Sequence, residues 1–197
     1  MKLFLSIIFC CSLLVGNAQF SSDICHDGYL VTTDKDTLQG KVKYDMENNS
    51  IQFYNEKVIR TFSSYQVFYF NIFDEVLDNY RQFYCIPYRL KTDYKTPIVF
   101  ELLYEGELSL MAREAIVQES VPVGNTVYSG IRRDRLQQQF FFVNKKGNIT
   151  SYKGKRGELL EIMNDKSAQV KTFMKKNRLK SNTARDLVRV TAFYNSI

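Results

Sequence analysis

The sequence predicts an α+β fold: a curved antiparallel sheet or small, partly open barrel followed by three C-terminal helices. Short segments rich in β-branched and aromatic residues recur between residues 28 and 152, and polar turns separate them. Beyond residue 156 the apolar residues change to helical spacing. Because strands come first and helices last, the order favours an α+β architecture over alternating strand and helix units.

The N-terminal part of the sheet is predicted from four short strands. These strands are Gly28–Thr33, Thr37–Tyr44, Ile51–Phe53 and Val58–Phe62, and each pair of neighbours is joined by a polar turn. Strands this short and this close in sequence are typical of an antiparallel meander.

The next stretch, Phe62–Tyr88, holds ten aromatic residues. We interpret them as core, and the alternative is a surface that stacks sugars or unpaired bases, because aromatic ring faces suit both ligands. Residues 114–137 lack clear periodicity and are predicted to form a long loop. Further strands are predicted at Tyr80–Arg89, Ile98–Leu103, Glu107–Met111, Phe140–Val143 and Ile149–Tyr152.

Three helices are predicted at the C-terminus. The first begins near Gly157, and the second is capped by Asp165. The third begins at a capping box formed by Thr183 and Asp186. We therefore expect residues 157–197 to form a helical segment packed on a mainly antiparallel β domain, residues 19–156.

Residues 1–18 have the layout of a secretory signal peptide. Lys2 supplies the positive charge, Leu3–Val15 is mostly apolar, and Gly16 and Ala18 are the small residues of a cleavage site. We expect cleavage before Gln19 and a mature chain without a transmembrane segment. The expected location is the periplasm, the outer-membrane surface or the extracellular space.

Two cysteines, Cys25 and Cys85, remain after that cleavage. In an exported protein they could form one disulfide bond. The alternative is two separate buried thiols, since free cysteine is among the most buried residue types. Two cysteines carry no spacing pattern that decides between these alternatives.

Charge is distributed unevenly along the chain. Residues 131–197 contain sixteen Lys and Arg against five Asp and Glu, whereas the rest of the chain is net acidic. On the second helix the basic side chains are predicted to face away from the apolar stripe, where they could contact a polyanion. The alternative is a solvated helix face that packs on acidic neighbours. The candidate residues are Lys171, Lys175, Lys176, Arg178 and Lys180.

The sequence contains no motif for a cofactor or a metal. The mature chain has one histidine, His26, which lies next to Cys25 without a second cluster of ligands. We interpret His26 as a surface residue near a mobile terminus. Lys153–Gly157 resembles a phosphate loop superficially, but it lacks the Gly-Lys-Ser/Thr ending and is interpreted as a basic turn that enters a helix.

Clustered carboxylates are the other candidates for catalysis. Glu101, Glu105 and Glu107 lie close in sequence, and a glycoside hydrolase needs two carboxylates across a cleft. The Glu105-Gly106-Glu107 segment reads as a turn, where acidic side chains are usually solvated. A carboxylate-based hydrolase is therefore the weakest of the alternatives.

Three parts of the chain resemble a family of small exported proteins of Bacteroidota. The likeness lies in Gly28–Val42, in Leu103–Leu110 and in the helical tail from Gly157 to Asn195. The resemblance implies a cell-envelope or secreted location in a Gram-negative bacterium. It brings no catalytic residues, because the family has no assigned activity. The stretch 114–137 departs from it by being longer and more basic.

These observations predict a non-enzymatic exported module of the cell envelope with a binding or assembly role and no cofactor. The expected partner is another envelope protein or an anionic surface. A polyanion-binding protein that uses the basic helices is the main alternative. A structure discriminates between them by showing whether the basic residues form one exposed patch or the aromatic residues line an open cleft.

Overall fold

The computed structural model describes residues 24–46, 48–90, 93–122 and 130–197, with backbone alone for residues 116–122 and 130–136. It has one antiparallel sheet of ten strands, curved and not closed, followed by three helices, which confirms the predicted α+β fold. The predicted signal peptide and its cleavage site before Gln19 lie outside the described residues.

The strands are β1 (His26–Thr32), β2 (Thr37–Asp45), β3 (Ser50–Tyr54), β4 (Ile59–Ser63), β5 (Val67–Asp74), β6 (Asn79–Tyr88), β7 (Thr96–Tyr104), β8 (Leu108–Pro122), β9 (Gly130–Asn144) and β10 (Ile149–Tyr152). Their order in the sheet is β10-β9-β8-β7-β6-β5-β1-β2-β3-β4, so β4 and β10 are the edge strands. The helices are α1 (Arg156–Ile162), α2 (Ser167–Lys176) and α3 (Ala184–Ser196), with a short 3₁₀ turn at Asn164–Lys166.

The sheet curls so that strands far apart in sheet order meet. Asn49, in the β2–β3 turn, and Ser64, in the β4–β5 turn, both donate hydrogen bonds to the carbonyl of Pro97 in β7, at 2.9 and 2.8 Å. Gly28 and Gly40 pair across β1 and β2 where the curl brings backbones together. A Cβ atom at either position would lie within 2.3 Å of a carbonyl oxygen on the next strand, so only glycine fits.

The inner face of the curl holds the first of two main cores. Successive residues of a strand point to opposite faces, and the residues of one face are buried here. The core consists of Leu30, Val42, Ile51, Phe53, Phe70, Ile72, Phe83, Cys85 and Val99 with their neighbours. Phe70 and Phe83 stack with centroids 4.8 Å apart, which joins β5 to β6 in this core.

The helices cover the second core, on β7 to β10. Strand residues Leu110 and Phe142 pack against Met163 before α2, Met174 of α2 and Leu187 of α3. All five are at most 1% exposed. The first core is therefore covered by the curled sheet itself, and the second core is covered by the helices.

Two segments differ from the sequence-based prediction. Residues 114–137, predicted as a loop, contain the distal parts of β8 and β9, whose pairing runs from Leu108–Asn144 to Pro122–Gly130. The ladder satisfies the backbone of this ribbon, so no alternating apolar pattern is needed to specify it. β5 was not predicted, because Val67–Phe70 is an apolar run without alternation.

The helix caps also differ. The predicted cap Asp165 lies in the 3₁₀ turn and accepts a hydrogen bond from the Tyr194 hydroxyl at 3.0 Å instead. Thr183 does occupy the residue before α3, but its side chain makes no capping bond. Asp186 accepts the backbone N–H of Lys180 at 3.0 Å, so it fixes the chain that leads into α3.

His26 is buried, and Cys25 and Cys85 are not joined by a disulfide bond. His26 pairs with Val42 at the start of β1 and is 6% exposed, so its interpretation as a surface residue is wrong. Cys25 and Cys85 are both free thiols; Cys85 is buried and Cys25 is partly exposed.

Candidate functional site

The predicted basic residues of the second helix and the turn after it lie on the surface. Lys171, Lys175, Lys176, Arg178 and Lys180 are all exposed. On the opposite side of α2, Val170 and Met174 are fully buried in the helical core. Phe173 stacks on Phe193 of α3 at 4.0 Å. On α2, the apolar residues are therefore buried and the basic residues exposed.

The connector between β10 and α1 brings further positive charge to α2. It carries Lys153 and Lys155, and Arg156 follows as the first residue of α1; all three are exposed. Arg156 donates a hydrogen bond from Nη2 to the carbonyl of Lys171, at 3.3 Å. Basic residues that are fifteen positions apart in sequence therefore adjoin each other.

A buried tyrosine joins this connector to the chain after α2. The Tyr152 hydroxyl lies 2.6 Å from the carbonyl of Ser181 and 3.3 Å from that of Lys155. The Ser181 hydroxyl in turn donates to the carbonyl of Gly154 at 3.0 Å. These bonds hold Lys180 beside the connector. We call the resulting patch the basic surface: Lys153, Lys155, Arg156, Lys171, Lys175, Arg178 and Lys180.

The carboxylates near the basic surface contact backbone amides rather than its cations. Glu158 accepts the N–H of Lys153 at 2.9 Å, and Asp186 accepts that of Lys180. None of the ion pairs between described residues includes a member of the basic surface. Among the described residues, the cations of this surface are therefore not engaged in ion pairs.

The end of α2 displays part of this charge. The N–H groups of Arg178 and Leu179 bond to the carbonyls of Lys175 and Met174, at 3.3 and 3.0 Å, which forms a Schellman motif. Arg178 has a φ of 53°, in the left-handed region where glycine is usual. Cations at this end of the helix also interact favourably with its dipole, which gives Lys175 and Lys176 a structural role.

The clustered carboxylates do not come together. Glu101 binds Arg81 through both oxygens, at 2.7 and 2.8 Å, and Arg81 also binds Asp74 at 3.1 Å. Glu105 and Glu107 are both exposed at the β7–β8 turn, where Glu107 pairs with Lys145 of the β9–β10 turn. Glu101 is therefore engaged in an ion cluster inside the sheet. These positions give no paired carboxylates across a cleft.

Within the described residues, no three His, Cys, Asp or Glu side chains are grouped closely enough to bind a metal ion. Burial raises the pKa of the Cys85 thiol to about 12, so it stays protonated at neutral pH. Among the helices described, none has the length and apolar character needed to cross a membrane.

Comparison with protein-family models, curated proteins and solved structures gives no match for this chain. The resemblance to exported Bacteroidota proteins therefore stays a prediction.

Sequence reasoning found the α2 part of the basic surface and missed the connector. Helical spacing placed Lys171 and Lys175 on one side of α2. The connector was interpreted only as a basic turn, although Lys153-Gly154-Lys155-Arg156 is itself the signal. Its contact with α2 depends on tertiary packing, which spacing along the chain does not contain.

Proposed function

We propose that this protein is a non-enzymatic binding module that contacts an anionic polymer through the basic surface. The observation that carries the proposal is the joining of the start of α1 to α2 by the Arg156–Lys171 hydrogen bond. It brings exposed cations of separate segments together, and the carboxylates of Glu158 and Asp186 accept backbone N–H groups there.

The surroundings of the basic surface favour a soluble polymer over insertion into lipid. Of the exposed large apolar side chains in the described part of the chain, all but Ile197 lie before residue 95. None of them adjoins the basic residues in sequence, which favours a surface that binds through charge. Its ligand is defined by closely spaced phosphate or sulfate groups.

Heparin chromatography tests this proposal. We expect the protein to be retained near physiological salt and Lys171→Glu/Lys175→Glu/Lys180→Glu to elute without retention. A matched control reverses Lys35, Lys57 and Lys95, which are also exposed but lie on turns of the sheet. The control changes net charge equally and should remain retained. No retention of the wild-type protein, or equal loss in both variants, would contradict the proposal.

DNA and vesicles containing anionic phospholipid serve as further probes in the same assay. Because the proposal concerns polymer charge, we expect DNA to bind and compete with heparin. Binding to vesicles alone, without heparin or DNA, would overturn the choice of a soluble polymer.

We also propose that the chain is exported and acts in the cell envelope or outside the cell. The support is the arrangement of residues 1–18 together with the resemblance to exported proteins. N-terminal sequencing of the native protein should begin at Gln19. Recovery of the intact N-terminus from the cytoplasm would contradict export.

A further inference from the structure

The aromatic residues of β5 and β6 divide between the two faces of the sheet. Phe70 and Phe83 are paired and buried in the first core, at 0% and 4% exposure. Their neighbours Tyr69 and Tyr84 are also paired, so strand alternation places them together on the opposite face, where both are half-buried. The aromatic stretch is therefore partly core and partly surface.

Four rings on this outer face contact one another. The centroids of Tyr69 and Tyr84 are 5.6 Å apart. Tyr29 of β1 meets Tyr69 edge-on at 6.1 Å. Phe68, 56% exposed, contacts Tyr69 and Tyr84 at 5.7 and 6.4 Å. Mutual ring contacts hold this cluster as a preformed surface before any ligand binds.

Two carboxamide side chains lie on the same face among these rings. Asn71 donates to the Tyr29 hydroxyl at 3.3 Å, and Gln82 donates to the Tyr84 hydroxyl at 2.9 Å. Asn71 and Gln82 are themselves a cross-strand pair of β5 and β6. The Asn71 Oδ1 atom is buried and has no donor among the described residues, which is unusual for an amide oxygen. We call Tyr29, Phe68, Tyr69, Asn71, Gln82 and Tyr84 the aromatic–amide face.

An open concavity of about 720 Å³ continues this face toward β3. Gln39, which lines it, is the cross-strand partner of Tyr29, and directly paired residues share a face. Asp27 and Lys41 in its lining form a salt bridge at 3.8 Å. Four strand spacings separate β3 from β6, which is about 19 Å. This length is sufficient for an elongated ligand made of several linked rings.

The aromatic–amide face offers no positive charge to an anionic partner of the kind proposed for the basic surface. The aromatic–amide face itself is uncharged. Burial has the larger effect and the negative charge of Glu105 the next, and both raise the pKa of the Tyr84 phenol. The carboxylate that most affects this phenol is therefore that of Glu105. A nucleic acid would bring phosphates toward Glu105. An uncharged ligand with many hydroxyl groups avoids that repulsion and can use both carboxamides as donors and acceptors.

We propose that the aromatic–amide face binds a neutral oligosaccharide. The apolar C–H faces of its sugar rings pack on Tyr69, Tyr84 and Phe68. Its hydroxyl groups exchange hydrogen bonds with the Gln82 amide and the phenols, while Asn71 holds the Tyr29 hydroxyl in place. The adjoining concavity takes the continuing chain. This site is separate from the basic surface, which lies on the helical segment.

Native gels that contain a neutral polysaccharide test the proposal, with dextran, laminarin, hydroxyethyl cellulose and galactomannan as the probes. We expect at least one polysaccharide to retard the protein, and calorimetry with its hexasaccharide to give the affinity. Tyr69→Ala and Gln82→Ala should weaken that affinity about tenfold or more, because each removes a central contact. Tyr65→Ala, at a more exposed tyrosine of the β4–β5 turn outside this face, is the control and should bind normally.

Further variants and conditions make the outcome decisive. Thermal melting verifies that each variant is folded, and Tyr84→Phe, which keeps the ring and loses only the hydroxyl, should still weaken binding. Raising the salt concentration from 50 to 200 mM should leave sugar binding unchanged while it releases heparin. Absence of retardation by all four polysaccharides, or binding that Tyr69→Ala and Gln82→Ala leave intact, would overturn the proposal. Self-association that Tyr69→Ala abolishes would show that a second copy occupies the face, and would overturn it too.

Discussion

The sheet and the helical segment handle charge in opposite ways. In the sheet, Arg81 is 6% exposed and bound to both Asp74 and Glu101. On the helical segment, the cations of the basic surface are exposed, and the nearest carboxylates bind backbone amides instead. A buried charge must be paired to be tolerated, whereas an exposed charge contributes little to stability whether paired or not. We infer from this difference that Arg81 stabilises the fold, whereas the cations of the basic surface are available to bind a ligand.

Arg81→Met gives the largest expected effect, because it breaks the paired side of this comparison. It leaves the carboxylates of Asp74 and Glu101 inside the sheet without their cation. We expect a loss of about 3 to 5 kcal/mol in the free energy of unfolding, measured by urea denaturation. Lys171→Met, the matched change at an exposed cation, should alter stability by less than about 0.5 kcal/mol. Equal losses in the two variants would remove the distinction.

Acid should reproduce part of the Arg81 effect. Burial alone would raise the pKa of Asp74, but the N–H groups of Leu77 and Val76 together with Arg81 hold that pKa below its ordinary value. A carboxyl whose pKa is lowered in the folded state stabilises the fold above the unfolded pKa. That stabilisation is lost as the pH falls through the folded pKa. Melting temperatures from pH 6 to pH 2 should therefore fall less steeply in Asp74→Asn than in the wild type.

Tyr152→Phe sharpens the comparison from within the helical segment. It removes the hydroxyl that holds the connector to Ser181. We expect a loss of about 0.5 to 1.5 kcal/mol in unfolding free energy and weaker heparin binding, because the two parts of the basic surface separate. Tyr65→Phe, at an exposed turn, should change neither quantity. Unchanged heparin binding in Tyr152→Phe would show that the connector is not part of the site.

Arg178→Gly has the smallest expected effect on stability, and its sign is opposite. The left-handed φ of Arg178 is strained for a residue with a Cβ atom, whereas glycine adopts it freely. We expect the variant to be more stable by up to about 1 kcal/mol and to bind heparin more weakly. A variant that is less stable and binds normally would assign Arg178 to the fold instead of the binding surface.

The comparison also shows what could be predicted from the sequence. Helical spacing was sufficient to assign Val170 and Met174 to one side of α2 and the lysines to the other. One side packs entirely on the core and the other faces solvent, so the two kinds of residue separate clearly. β5 was missed for the opposite reason. Phe70 faces the core and Tyr69 the aromatic–amide face, so both sides of the strand are aromatic and the two-residue period disappears.

Contacts between segments that are far apart in the chain could not be predicted from the sequence. The burial of His26 depends on the strand beside it, and the joining of Arg156 to Lys171 depends on how α2 packs. The long β8–β9 ribbon satisfies its backbone by pairing with itself, so it needs no apolar pattern. The fold class and the exposure of the α2 lysines could therefore be predicted from the sequence. The set of residues that forms the basic surface could be identified only from the structure.

The central claim is that the basic surface binds an anionic polymer through several simultaneous charge contacts. The direct measurement is the affinity for a heparin oligosaccharide of defined length at salt concentrations between 50 and 200 mM. With about five contacts, affinity should fall about 10²- to 10³-fold over this range, since each contact releases condensed counterions. Lys171→Glu/Lys175→Glu/Lys180→Glu should flatten that dependence, and the matched Lys35, Lys57 and Lys95 reversals should preserve it. An affinity independent of salt, or the same steep dependence in both triple variants, would contradict the account.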